Sequence, residues 1–174
     1  MHKISRSVPK VDFEEKVSGE AKFVSDQYLD GMLYAKTVRS TEAKARILNI
    51  DIPFLPEGYF VIDHKDIPHE NYVKMIFKDW PIFAKQKVNY IGEPICLIVG
   101  EDKSIIDQII ENIAISYEPL TPLFKYEKSV IQKAFKKGQP KKAFEKAKKI
   151  IKYTYETGYQ EQAYIEPQGF LGYM

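Results

Sequence analysis

Residues 95–99 read Ile-Cys-Leu-Ile-Val, and residues 103–113 read Lys-Ser-Ile-Ile-Asp-Gln-Ile-Ile-Glu-Asn-Ile. Five consecutive apolar residues predict a strand that is covered on both faces. In the second stretch the isoleucines recur at i, i+1, i+4, i+5 and i+8, which places them on one stripe of a helix. A short strand over residues 114–117 follows. The pattern predicts a strand-rich domain into which the helix packs by its isoleucines.

Further strands are predicted on both sides of this stretch. The first follows the turn dipeptide Asp30-Gly31, and the second ends at Pro53, which cannot donate a hydrogen bond to a neighbouring strand. The helices are few, and their alternation with strands is uneven. This favours an α+β fold over a doubly wound sheet. The further strands are predicted over residues 32–39, 44–52, 59–62 and 150–157, with one or two short helices over residues 127–149.

Length, charge and cysteine content exclude several classes of protein. The chain has 174 residues, a net charge of +2 and 44% apolar residues, which is ordinary for one soluble domain and excludes a globally basic nucleic-acid binder. The single cysteine, Cys96, excludes a disulfide framework, a cysteine-rich zinc site and a cysteine-ligated iron–sulfur cluster. Residues 1–10 lack the apolar run of a signal peptide, and no stretch is long enough to span a bilayer. We therefore expect a soluble, cytoplasmic protein without a membrane partner.

Residues 133–152 carry nine lysines and one glutamate, a local charge of +8. The apolar residues between them, Phe135 and Phe144 included, predict helices that turn these side chains inward and leave the lysines on a solvated face. A contact with a partner protein and nucleic-acid binding are the alternatives. No arginine or stacking aromatic residue shares the polar face, which argues against nucleic acid.

Two further features have residue types found in chemical sites. Residues 63–70 hold two histidines and three carboxylates, which are metal-ligand types. Lys65 and Pro68 lie among them, so an exposed polar turn is the simpler interpretation. Cys96 lies within an apolar strand with no adjacent charge, which predicts a buried and unreactive thiol.

The C-terminal segment is unusual in composition. Residues 158–167 read Gly-Tyr-Gln-Glu-Gln-Ala-Tyr-Ile-Glu-Pro and show neither a helical nor a clean strand period. A polar hairpin would account for this composition. A buried polar site would account for it equally, because amides and carboxylates must each find a partner there.

This segment resembles the molybdenum-binding subunit of the xanthine dehydrogenase and aldehyde oxidase family, the molybdenum hydroxylases. The family pattern runs approximately G-x-Q-E-H-x-x-x-E-P, and Gln162 stands where the pattern usually has histidine. Six further stretches resemble the family in the same order, over residues 19–26, 31–40, 43–51, 66–68, 90–101 and 117–122. The residues that match the pattern itself are Gly158, Gln160, Glu161, Glu166 and Pro167.

The resemblance implies a division of the chain into four parts. Residues 18–125 are expected to form an α/β hammerhead domain, and residues 150–174 the first strands of a molybdopterin-binding domain. Residues 1–17 would be a flexible arm and residues 126–149 a Lys-rich helical connector. Since the sequence stops in a strand-like region and the family's subunit is several times longer, the resemblance implies an N-terminal fragment.

The resemblance also implies a function for the complete protein. It would be an oxidoreductase that hydroxylates a purine, N-heterocycle or aldehyde, with water as the oxygen source and a molybdopterin-type cofactor. Electrons would leave through iron–sulfur and flavin domains or subunits. Gln160 is the expected cofactor contact, since its family counterpart donates a hydrogen bond toward an oxygen ligand of molybdenum. Glu161 and Glu166 would instead satisfy backbone and neighbouring amides.

For this chain alone, the resemblance implies no catalytic residue, no metal ligand and no bound cofactor. Its expected partners are the remainder of the molybdenum-binding subunit and, in the complete enzyme, a small-molecule substrate. Nucleic acid is not expected. The alternative function is a non-catalytic binding or scaffold module that uses the Lys-rich face.

Overall fold

The computed structural model describes residues 7–125, 131, 133–164, 166 and 168–173. Of these, the residues within Leu29–Ser129 form one compact unit, which we call the strand-rich unit. Those within Met1–Tyr28 and Val130–Met174 form a second, which we call the terminal unit. The described residues include no helix that is both long and apolar enough to cross a membrane.

Among the described residues, the strand-rich unit has eight strands and one helix, and the other helices belong to the terminal unit. The strands are β1 (Tyr34–Arg39), β2 (Ala45–Asp51), β3 (Phe60–Ile62), β4 (Tyr72–Val73), β5 (Trp80–Pro81), β6 (Lys87–Val88), β7 (Pro94–Gly100) and β8 (Ala114–Pro119). The helices are α1 (Phe13–Ser18), α2 (Lys103–Glu111), α3 (Pro140–Lys146) and a 3₁₀ turn at Val24–Asp26.

Two three-stranded antiparallel sheets and one hairpin organise the strands. In the first sheet β7 lies between β1 and β3, and in the second β2 lies between β6 and β8. Strands β4 and β5 pair only with each other. The five strands predicted before residue 120 are confirmed to within two residues at each end. The α+β fold class, strand-rich with few helices, is likewise confirmed.

One apolar core joins the two sheets to α2. Ile95, Cys96 and Ile98 of β7 are almost fully buried, so this strand is covered on both faces as its apolar run predicts. On α2, Ile106 and Ile109 are buried, and the other isoleucines of the stripe pack half-buried against the core. The buried cluster consists of Val38, Ala45, Ala84, Val88, Ile95, Cys96, Ile98, Ile106 and Ile109.

Local contacts fix where α2 begins. The Asp102 carboxylate accepts hydrogen bonds from the Ser104 and Ile105 amides at 2.7 and 3.4 Å, which satisfies two donors at the helix start. The Tyr59 hydroxyl accepts a hydrogen bond from the Asp102 amide at 3.1 Å.

The Tyr59 ring lies next to Gly100. A Cβ added at Gly100 would lie 2.2 Å from atoms of this ring. Glycine is therefore required at residue 100 to let the ring approach β7.

The terminal unit differs from several expectations. The strand predicted over residues 150–157 is wrong, because this stretch is irregular and exposed. A strand requires a neighbour for its backbone hydrogen bonds, and the described residues of the terminal unit form none. In the supposed flexible arm, residues 13–18 form α1; residues 1–6 lie outside the described residues.

The Lys-rich region follows the prediction in part. Its lysines are exposed, and helix α3 covers residues 140–146. Phe135 and Phe144, however, are 91% and 63% exposed, so the prediction that they turn inward is wrong. No described residue of the terminal unit is buried, and there is accordingly no core onto which they could pack. Residues 127–130 and 132 of this predicted helical region lie outside the described residues.

The isoleucine stripe of α2 generates the first prediction. Replacing Ile109 by aspartate puts an unpaired charge into the core, which costs several kcal/mol. We expect the Ile109→Asp chain to melt at least about 10 °C below wild type in circular dichroism. Gln108→Asp, at the adjacent exposed position of α2, is the control and should change the melting temperature little. Equal melting temperatures for Ile109→Asp and wild type would contradict the packing described here.

Candidate functional site

The segment of residues 158–164, which we call the Gln160 segment, carries the predicted cofactor contact. It is irregular throughout, and the Gln160 side chain is exposed. A primary amide offers two N–H donors and a carbonyl acceptor without adding charge. An exposed amide of this kind can donate a hydrogen bond to an anionic oxygen of a bound group.

Ala163 in this segment has a φ of 53°, which lies in the left-handed region. Alanine adopts this conformation rarely, because its Cβ crowds the backbone. At the preceding residue, the Gln162 amide donates to the Glu161 carboxylate at 3.1 Å. The Gln162 side chain, at the position where the family pattern has histidine, is exposed. Glu161 therefore satisfies a neighbouring amide, as predicted.

Beyond Ala163, the chain is bonded to the 3₁₀ turn of the same unit. The Glu166 carboxylate accepts the Val24 amide at 3.0 Å, so Glu166 also satisfies a backbone donor, as predicted. Three residues later, a Cβ added to Gly169 would lie 3.2 Å from the Val24 side chain. Two points of the C-terminal segment thus contact one residue near the start of the chain. Residues 165, 167 and 174 lie outside the described residues.

The surroundings of this segment are open. A Cβ added at Gly158 or at Gly172 would meet no atom within 4 Å. The described residues therefore provide one edge with a suitable donor, Gln160, and do not enclose a group the size of a pterin cofactor. Within the part of the chain that the structure describes, no cluster of three His, Cys, Asp or Glu side chains is placed to hold a metal ion.

The acidic and imidazole groups of residues 63–70 are confirmed as a turn of the strand-rich unit. The Asp66 carboxylate accepts the Asp63 amide at 2.7 Å, and the Asp63 carboxylate accepts the Lys65 amide at 2.6 Å. Glu70 forms an ion pair with Lys78. These carboxylates are thus used in local hydrogen bonds and an ion pair of the turn.

Cys96 is confirmed as a buried free thiol, 2% exposed in the middle of β7. Burial raises the pKa of the Cys96 thiol from its ordinary 9.0 to about 11, and the negative charge of Asp63 adds to this effect. A nucleophilic cysteine needs the opposite shift, since the thiolate is the reactive form. Cys96 therefore contributes packing rather than chemistry.

An open cleft of about 1050 Å³ in the strand-rich unit has no counterpart among the sequence predictions. Trp80, Lys87 and Tyr90 line it, and its three lysines are balanced by Glu70, Asp79 and Glu93. Glu93 is 2% exposed and accepts hydrogen bonds from the backbone and side-chain amides of Asn89. The Gly-Glu-Pro motif before β7 is the one sequence feature that marks this buried carboxylate, which serves the fold.

Comparison with protein families gives two consecutive matches. Residues 18–121 match the family described as aldehyde oxidase and xanthine dehydrogenase, a/b hammerhead domain. Residues 123–174 match the molybdopterin cofactor-binding domain. The Gln160 segment lies within the second match, and α2 and all eight strands lie within the first.

Individual relatives agree with these matches. The nicotinate dehydrogenase large molybdopterin subunit of Eubacterium barkeri is 28% identical over 98% of this chain and 44% of its own length. A probable xanthine dehydrogenase subunit of Bacillus subtilis is 28% identical over 97% of this chain and 25% of its own. The chain thus spans less than half the length of either relative. The crystal structure of a Cu,Mo-CO dehydrogenase superposes with a TM-score of 0.57 at 28% identity, over 65% of this chain and 15% of that one.

The environment of Cys96 generates the second prediction. A pKa of about 11 lowers the thiolate fraction at pH 8 about 100-fold relative to an ordinary thiol, and burial also restricts access. We expect iodoacetamide to alkylate native Cys96 at least about 100-fold more slowly than the denaturant-unfolded chain. A Gln108→Cys chain in a Cys96→Ala background supplies the exposed-thiol control. Comparable native and unfolded rates would contradict this environment.

The same pKa shift predicts how the free energy of unfolding changes with pH. The fold favours the protonated thiol, so its stabilising effect is complete below the ordinary pKa of 9.0. Between pH 9 and 11 the unfolded chain loses this proton first. The free energy of unfolding should therefore fall across this window, and less so in Cys96→Ala.

Proposed function

This chain belongs to the aldehyde oxidase and xanthine dehydrogenase family, and from that premise we propose that it is the N-terminal part of a molybdenum-dependent hydroxylase subunit. The complete enzyme would hydroxylate a purine, another N-heterocycle or an aldehyde, with oxygen taken from water. The names of the two relatives, for nicotinate and for xanthine, favour a nitrogen heterocycle among these. The free thiol of Cys96 fits a reducing compartment such as the cytoplasm.

The position of Gln160 carries this proposal. It is an exposed amide on an irregular segment, within the residues that match the molybdopterin cofactor-binding domain. When bound, the cofactor supplies the metal centre at which the substrate carbon is oxidised. The role of Gln160 is to donate an N–H to an oxygen ligand of that centre. Because the amide is neutral, it orients the ligand without changing the charge of the site.

The terminal unit supports the proposed partners. Several of its large apolar side chains are exposed to water, which is costly for a surface that nothing covers. We propose that further parts of the cofactor-binding domain cover them, and that iron–sulfur and flavin domains or subunits carry the electrons away. The exposed side chains include Phe135, Ile151, Tyr153, Tyr155, Tyr159, Tyr164, Phe170 and Tyr173.

A third prediction separates the 174-residue chain from the complete protein. The described residues supply one edge for a cofactor, so the chain alone should contain no stoichiometric molybdenum and should not turn over purines or aldehydes. The complete protein, purified from the same molybdate-supplied host, should contain molybdenum by elemental analysis. Stoichiometric molybdenum in the 174-residue chain would contradict the proposed division. Its absence from both proteins would favour the scaffold alternative.

A fourth prediction concerns Gln160 in the complete enzyme. Gln160→Ala removes a hydrogen bond to a metal ligand, and the loss of such contacts commonly lowers activity about 10–100-fold. We expect that loss in turnover, with unchanged circular dichroism and molybdenum content. Gln108→Ala, at an exposed position of α2 outside this segment, is the control and should keep the wild-type rate. Full activity in Gln160→Ala would remove this residue from the site.

A further inference from the structure

We propose that Glu166 is a positioning residue for Gln160. Its carboxylate, held on the Val24 amide, fixes the segment that presents Gln160 to the bound group. The hydrogen bond between Glu166 and Val24 is a feature of this chain by itself. Its consequence for turnover rests on the function proposed above.

The Gln160 segment needs an anchor because it has no secondary structure of its own. Residues 158–164 are irregular and exposed, so no ladder or helix holds their backbone. Fixing an irregular residue in one conformation costs conformational entropy. Ala163 also adopts a rare left-handed conformation, which persists only where neighbouring contacts hold it. The hydrogen bond at Glu166 follows Ala163 by three residues.

Val24 suits the role of the anchoring partner. It is the first residue of the 3₁₀ turn Val24–Asp26, so its amide has no acceptor within that turn. The Glu166 carboxylate satisfies this donor at 3.0 Å in a charge-assisted hydrogen bond, a class roughly twice as strong as a neutral one.

A second contact falls on the same residue. The backbone at Gly169 lies so close to the Val24 side chain that an added Cβ would approach it to 3.2 Å. The chain is therefore fixed on both sides of residue 168 by contacts to Val24. A hydrogen bond and a close packing contact three residues apart define the position of a segment better than either does alone.

The Val24 position allows a selective removal of the donor. Val24→Pro deletes the amide hydrogen, and proline is well accepted at the first residue of a helical turn. The preceding residue, Phe23, has φ −95° and ψ 171°, which is the extended conformation that proline requires before it. Val24→Ala keeps the amide and removes the side-chain contact with Gly169, so it separates the effect of that packing contact from the effect of the hydrogen bond. On the other side, Glu166→Ala removes the acceptor and Glu166→Gln keeps a neutral one.

Amide hydrogen exchange in the full chain tests the tie directly. We expect Glu166→Ala to accelerate exchange of the Val24 amide about tenfold, and Glu166→Gln to accelerate it less. The Phe23 amide, bonded to the Asp26 carboxylate at 2.9 Å, is the internal reference and should not change. Unchanged exchange at Val24 in Glu166→Ala would overturn the proposal.

Kinetics of the complete enzyme test the positioning role. Glu166→Ala and Val24→Pro should each lower kcat about tenfold with little change in KM, and Val24→Ala, which keeps the hydrogen bond to Glu166, should lower it less. In a Gln160→Ala background, the Glu166→Ala change should cause no further loss, since both act through the same hydrogen bond. Equal losses in the wild-type and Gln160→Ala backgrounds would show a general structural role and overturn the proposal.

The two proposals fail in different ways. Absence of molybdenum from the complete protein would overturn the proposed function, and the role of Glu166 in turnover with it. Additive losses, or unchanged exchange at Val24, in a complete protein that contains molybdenum would overturn the positioning role alone.

Discussion

Burial of β7 on both faces is the constraint from which the strand-rich unit is built. Ile95 and Val99 project from one face of the strand and Cys96 and Ile98 from the other, and all four are shielded from water. Full burial of one such aliphatic side chain stabilises a fold by about 1.5–3 kcal/mol. Both faces must therefore be covered. Residues of α2 and of the second sheet belong to the same buried cluster as β7 and help to cover it. The close approach of the Tyr59 ring at Gly100 and the Asp102 cap follow from this placement, because α2 has to begin within a few residues of the end of β7.

Where structure depends on local pattern, the sequence predicts it well. The apolar run of β7 and the isoleucine period of α2 are both contained within a dozen residues, and the structure reproduces both. The strand expected over residues 150–157 has an equally strand-like composition, yet it is irregular. The difference is that a strand is completed by a neighbour from elsewhere in the chain, which the described residues of the terminal unit do not supply. For a related reason the two-residue strands β4, β5 and β6 escape prediction, since each is too short to show an alternation.

In the candidate site, too, some residues could be predicted from the sequence and others could not. Gln160 could be proposed from its place in a family pattern, and the two glutamates could be assigned to hydrogen bonds because carboxylates in a dense polar segment need donors. Val24 could not be proposed, since it contributes a backbone amide, which every residue except proline possesses. Its partner Glu166 lies 142 positions away in the sequence. Neither residue type nor sequence spacing indicates a backbone donor at that separation.

Different interactions thus stabilise the two units. A buried apolar core stabilises the strand-rich unit, and contacts between exposed residues stabilise the terminal unit. The strand-rich unit is fixed by a dry core, which resists deformation because close-packed interiors tolerate few voids. In the terminal unit, one charge-assisted hydrogen bond at Glu166 and one close contact at Gly169 hold the exposed chain that follows the Gln160 segment. Segments with few buried contacts open at low free-energy cost, and binding loops are commonly drawn from that class. In the role that we propose for Glu166, a segment anchored at one residue would adjust as a large cofactor is enclosed, while its anchor would determine which way the amide of Gln160 is presented.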